Sequence, residues 1–222
     1  MAVCALASTV SAHLQWWAGY ATFKPLTMLL AIAAVWHMAD RARHPPSARW
    51  LLLGLVCSLI GDVCLLTDRA FIPGLVAFLC AHLAFIALLR RDRPWARTAS
   101  GWAGMVVGMA CGMVYAYLRQ HGLPSAMHLP VGAYVFVIGA MAVQALARAA
   151  KLRTPGAWCV AVGAVSFMAS DSILAINKFV APVPASALWI LGSYYVAQWL
   201  IVHGMLQALG RTPAHPPRLQ AA

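Results

Sequence analysis

Apolar residues in this chain run in long blocks, neither alternating nor confined to a 3.6-residue stripe, and short polar stretches separate them. Each block is close to the roughly 20 residues that a helix needs to cross a hydrocarbon core of ~30 Å. Eight spans are predicted, at about 2–20, 24–40, 48–66, 71–90, 97–118, 129–149, 156–177 and 185–208. The first carries the most polar residues: Ser8, Thr9, Ser11, His13 and Gln15. The expected object is an all-α polytopic membrane protein with a single transmembrane domain over 1–210. A disordered cytoplasmic tail is expected at 211–222, where Pro213, Pro216 and Pro217 fall.

Composition agrees: 63% of residues are hydrophobic and 9% charged, which excludes a soluble globular domain. A net charge of +11 would point a soluble protein toward nucleic acid. Its distribution says otherwise. Twelve of the 16 Lys and Arg lie between spans 2 and 3, 4 and 5, 6 and 7, or in the tail, leaving only Lys24, Arg69, Arg119 and Lys178 opposite. By the positive-inside rule both termini are cytoplasmic, and no nucleic-acid partner is expected. Trp16, Trp17, Tyr20, Tyr115 and Tyr117 would form the outer aromatic belt, with Trp50, Trp95 and Trp158 at the inner one. The N-terminus has no basic n-region, so residues 2–20 read as a span and not as a signal peptide. With the Ala- and Arg-rich composition, this favours a bacterial inner membrane. Cys4, Cys57, Cys64, Cys80, Cys111 and Cys159 are scattered singly and read as small buried hydrophobes. Gly104, Gly108 and Gly112 recur every four residues, a pattern that lets a neighbouring helix approach closely.

Two blocks match each other. GLVCSLIGDVCLLTDR at 54–69 and GAVSFMASDSILAINK at 163–178 align at a constant offset, since 163 − 54, 171 − 62 and 178 − 69 all equal 109. Spans 1–4 and 5–8 therefore form a candidate tandem repeat, over residues 1–95 and 96–210, with both copies running in the same direction. All five acidic residues are aspartates, and only Asp62 and Asp171 fall inside apolar spans, at equivalent places in the two copies. An ionisable group within a span is a functional hypothesis by default, against the plainer role of an interhelical hydrogen bond. Two carboxyls close together in low dielectric do not both ionise readily, which leaves one as an acid and one as a base.

Around them, Lys24 opens the second span before Pro25, where it either snorkels or binds an anionic headgroup. His82 lies near the middle of span 4, as a floor to a polar pocket or as an interhelical bond. Tyr194, Tyr195 and Gln198 form a polar patch at helical spacing in span 8, again with interhelical bonding as the plainer reading. No HExxH, His-x3-His or Cys/His cluster marks a metal site, and GxSxG, P-loop and GxGxxG are missing too.

FKPLTMLL at 23–30, GDVCLL at 61–66, FIPGLVAFLCAHLAF at 71–85, SDSIL at 170–174 and YYVAQWLI at 194–201 together resemble the YhhN family of lysoplasmalogenase-like membrane proteins. The resemblance implies eight helices, and the chemistry it implies needs no cofactor; a metal held by Asp62, His82 and Asp171 is unsupported by spacing. It implies hydrolysis of the vinyl ether bond of lysoplasmalogen-like lysophospholipids, giving a fatty aldehyde and a glycerophospho-ethanolamine or -choline. The family's polar positions fall on Lys24, Asp62, His82, Asp171, Tyr194 and Gln198. On this reading Asp62 and Asp171 are the acid and base, and Lys24 holds the lipid phosphate. The partners are then the ether-lipid substrate and membrane lipids, and the sequence gives no oligomeric state. Two other readings use the same residues: a small proton-coupled carrier with its acids at a repeat interface, and a non-catalytic lipid-binding protein.

Overall fold

In hydrocarbon a chain with so few polar positions satisfies its backbone by coiling into helices. The computed structural model describes residues 1–39, 45–92 and 101–209. Among these residues there are eight α-helices and no strand: α1 Ala2–His13, α2 Trp17–Met38, α3 Pro45–Cys64, α4 Phe71–Asp92, α5 Gly101–His121, α6 His128–Leu152, α7 Pro155–Phe179 and α8 Ser186–Leu209. Six of them, α2 to α7, are long and apolar enough to cross a membrane. The expected tail, Trp95 and much of the basic charge lie outside the described residues.

The expected first span, 2–20, does not form. Helix α1 stops at His13, and at ~1.5 Å per residue its 12 residues reach only ~18 Å. It ends in a Schellman reversal: Trp16 N–H donates to the Ser11 carbonyl and Gln15 N–H to that of Ala12, with Gln15 left-handed at φ 58°. Trp17 then starts α2, which takes in the end of the expected first span. Helix α8 has the length to cross and carries Ser193, Tyr194, Tyr195, Gln198, His203 and Gln207 among its apolar residues; it is not one of the six.

Close helix approach occurs where the sequence did not point. Helices α7 and α8 make the tightest pair: a Cβ on Gly204 would lie 2.4 Å from the Gly156 carbonyl oxygen, and one on Gly163 would lie 2.9 Å from that of Ala197. Helix α3 receives the α4 rings of Phe85 on Gly54 and Phe78 on Gly61. Gly104, Gly108 and Gly112, expected to seat a neighbour, instead have nothing within 4 Å of where a Cβ would stand. They face an open groove between α5 and α6. Helix α5 rests mainly on α6, whereas α8 packs on α7, α1, α2 and α3. The six cysteines are free, but none is the small buried hydrophobe expected: Cys80 is exposed and the other five are partly exposed.

Candidate active site

The two aspartates sit on α3 and α7, each near the end of its helix that leads to a short connection. Helix α3 presents Asp62 beside Gly61, whose missing Cβ admits the Phe78 ring. The Asp62 side chain is 1% exposed and lies 3.5 Å from the Lys24 ammonium of α2, itself 5% exposed. Its Oδ2 accepts a 2.7 Å hydrogen bond from the Tyr194 hydroxyl of α8. Lys24 also donates to the Tyr20 hydroxyl at 3.0 Å, and Gln198 Nε2 donates to Tyr194 at 3.4 Å. Lys24 is therefore not a surface cation awaiting a headgroup. It is buried and stands as the ion-pair partner of Asp62.

Asp171 is placed differently. The Tyr134 hydroxyl of α6 donates to its Oδ2, and His82 Nε2 of α4 lies 3.5 Å from the same oxygen. His82 Nε2 is also 2.9 Å from the Tyr134 oxygen. Because that hydroxyl spends its single proton on Asp171, its oxygen accepts from His82, and the imidazole proton sits on Nε2. His82 Nδ1 is buried without a hydrogen-bond partner. The three side chains form a closed triangle, and the Asp171 side chain keeps 15% exposure.

An aromatic wall stands between the two acids. His82 and Tyr194 both meet Phe167 edge-on, at 4.7 and 5.3 Å between ring centroids, and Phe78 closes the cluster at 6.0 Å from Phe167 and 5.9 Å from Tyr194. The acids are thus near neighbours that do not share a chamber. Of the two acids it is Asp171 that lines the cavity beside them, with Tyr134 and Ser172, in a slot among α4, α5, α6 and α7 walled by Leu75, Phe78, Ile138 and Met168. Its volume is about 60 Å³, so it is narrow, and its lining is overwhelmingly apolar. Its far end reaches Leu65, Phe71, Leu118 and Phe179, at the connections α3–α4 and α5–α6 and the end of α7.

Of the residues expected from the sequence, Asp62, Lys24, Tyr194 and Gln198 gather on one side of the wall, and His82 and Asp171 on the other. Tyr195 belongs to neither: its hydroxyl donates to Ser8 Oγ at 2.7 Å and ties α8 to α1. Tyr134 was missed. Its signal was a tyrosine well inside a span, away from the interface where that residue usually sits. Among the described residues no three His, Cys, Asp or Glu side chains gather as a metal site would require.

A multi-pass helical membrane protein with a carboxylate at the wall of an apolar slot is built for the chemistry of lipids. The comparisons make that class specific. The YhhN family model matches residues 19–205, and the chain belongs to that family. It is 34% identical over 203 residues to human lysoplasmalogenase TMEM86B, covering 88% of this chain and 78% of that protein. A lysoplasmalogenase of Mycobacterium bovis is 36% identical over 196 residues (84% and 71%), and human lysoplasmalogenase TMEM86A is 35% identical over 185 (80% and 72%). No solved structure matches.

Proposed function

We propose that this protein hydrolyses the vinyl ether bond of lysoplasmalogen-like lysophospholipids, with the alkenyl chain in the apolar slot and the reacting carbons at Asp171. Kinship with lysoplasmalogenases supports the reaction class. The observation that carries the assignment of roles is the Asp171–Tyr134–His82 triangle opening on an otherwise apolar slot.

The steps balance with one carboxyl group. Protonated Asp171 gives its proton to the outer vinyl carbon, leaving an oxocarbenium cation beside a carboxylate. The carboxylate stabilises that cation electrostatically in a site from which bulk water is excluded. Water adds to the cation and returns a proton to Asp171. The resulting hemiacetal then loses the glycerol oxygen, which takes up the hydroxyl proton, and the fatty aldehyde departs. Tyr134 and His82 hold one oxygen of Asp171 still, which keeps the other aimed. Asp62 acts as a positioning residue: with Lys24 it fixes Tyr194, and Tyr194 supports Phe167.

The tandem-repeat reading gains support from the contacts of the acids. Asp62 is held from α2 and α8, and Asp171 from α6 and α4. An offset of one repeat exchanges α2 with α6 and α8 with α4. We further propose that all eight helices lie within a bacterial inner membrane, with the short α1 packed on α2 and α8 without crossing, that the C-terminal end of α8 is cytoplasmic, and that the slot reaches the outer leaflet.

Aldehyde release from 1-alkenyl-glycerophosphoethanolamine and -phosphocholine by purified protein tests the proposal. Release by the wild type that disappears in Asp171→Asn is the expected result. No aldehyde from either headgroup overturns the substrate, and proton-coupled uptake in vesicles would then establish the carrier reading instead.

A further inference from the structure

With Lys24 committed to Asp62, the headgroup needs another cation, and the far end of the slot supplies one. Lys178 lies seven residues after Asp171 on α7, two turns along the same face and about 10.5 Å up the axis. Its ammonium stands 5.5 Å from the centroid of the Phe71 ring, and Phe71 packs edge-on against Phe179 at 5.5 Å. Both rings line the slot. The Lys178 side chain is 33% exposed and is paired with Asp68, which is 93% exposed in the short 3-10 turn Asp68–Ala70. Two other cations are described on this side: Arg69, in the same turn as Asp68, and Arg119, which lies over Tyr115, a residue of the α5–α6 groove and not of the slot; of the three, Lys178 is the one held against a ring that lines the slot.

We propose that Lys178 is the phosphate-binding residue of the site, and that an incoming phosphate displaces Asp68 from it. The proposal rests on the reading of Asp171 as the reacting group and adds the recognition of the headgroup. The seven bonds from the outer vinyl carbon through the glycerol to the phosphorus, with a contact to protein at each end, can bridge the ~10.5 Å of rise between the two positions on α7. Phe71 holds the ammonium at the slot rim through its ring face. The Asp68 side chain is almost wholly in solvent, so it is a weakly held partner that the phosphodiester, with one negative charge shared over two acceptor oxygens, can displace. A lysophospholipid would then lie with its chain inward, its vinyl ether at Asp171 and its phosphate at the rim. A lipid lacking phosphate would lose the rim contact and nothing else.

The test is equilibrium binding of a saturated 1-alkyl-glycerophosphoethanolamine, which has no vinyl ether to cleave, against 1-alkylglycerol. The full-length protein is used with its Lys178→Gln, Lys178→Arg and Asp68→Asn variants. Lys178→Gln is expected to lower the preference for the phosphate-bearing lipid about ten-fold, a change equivalent to ~1.4 kcal/mol. Lys178→Arg restores most of it, and Asp68→Asn raises it by removing the competitor. A preference unaltered in Lys178→Gln overturns the proposal, as does equal weakening for both lipids. Inorganic phosphate that competes as well as the alkyl lysophospholipid would make this a site for free phosphate and overturn the headgroup assignment. Failure of the hydrolase reading looks different: wild type releases no aldehyde, yet the phosphate preference still depends on Lys178.

Discussion

Asp62 and Asp171 occupy equivalent places in two similar segments, yet one is sealed and the other faces the slot. Asp62 has an ammonium, a tyrosine and almost no exposure. Asp171 has a tyrosine and a neighbouring imidazole, with one side open to the cavity. A carboxylate balanced by a buried cation is held as a charge, and its worth is structural. One held by a tyrosine and an imidazole, with a side on the cavity, is placed to meet a substrate. The difference teaches that like sequence position does not confer like chemistry, and that the partner contributed by the neighbouring helix decides it.

Breaking the comparison begins with the slot-facing acid. Asp171→Asn should lower aldehyde release by about 10²–10⁴-fold, the range for loss of a general acid–base group. Its detergent melting temperature should stay close to wild type. Asp62→Asn should do the reverse in kind, because it strands the Lys24 ammonium in the interior. Removing one partner of a buried pair costs ~3–5 kcal/mol, read as a lower melting temperature, and Lys24→Met should cost about the same. The double change Lys24→Met with Asp62→Leu should recover most of that loss. Full stability with lost turnover in Asp62→Asn would show that both acids react, and the distinction drawn between them would fall.

Smaller effects sharpen the contrast. Tyr134→Phe leaves Asp171 and His82 short of a partner, so ~1–3 kcal/mol of stability and part of the turnover should go together. Tyr194→Phe should cost similar stability and less turnover, which paired melting and kinetic measurements resolve. Smallest is the acid dependence of the rim. The hydrogen bond and charge of Lys178 hold the exposed Asp68 carboxyl below the usual carboxylate range. A lowered pKa contributes stability above the ordinary Asp value of ~3.9 and loses it as pH falls through the lower folded value. Melting curves of wild type and Asp68→Asn should therefore run parallel at neutral pH and converge only below about pH 4.

Much of the helical pattern was legible because hydrophobic length is a strong signal. The failures had weak signals. The break after His13 is made by Gln15 in a left-handed conformation that glycine usually occupies, so nothing in the apolar run announced it. The triplet Gly104, Gly108 and Gly112 has the spacing of a helix contact, but spacing does not say whether a neighbour is there. The contacts at Gly156, Gly163 and Gly204 depend on α8 docking from a distance in sequence. In the site, the importance of Asp62 and Asp171 was legible from charge in an apolar block. Their different partners were not, since Lys24 lies 38 residues before Asp62 and Tyr134 lies 37 before Asp171.

The Lys24–Asp62 pair also has a consequence for how the protein enters the bilayer. A lysine or an aspartate at the centre of a lone helix costs ~2.5–3.5 kcal/mol on insertion. Here the two charges are on consecutive helices, so α2 and α3 can leave the translocation machinery as a neutralised hairpin. Tyr194 arrives on α8, the last helix to be synthesised, and completes a bond whose ionic half was made early. The ionic half of the Asp62 site can thus form before α7 brings in the slot-facing acid, and its hydrogen bond only afterwards.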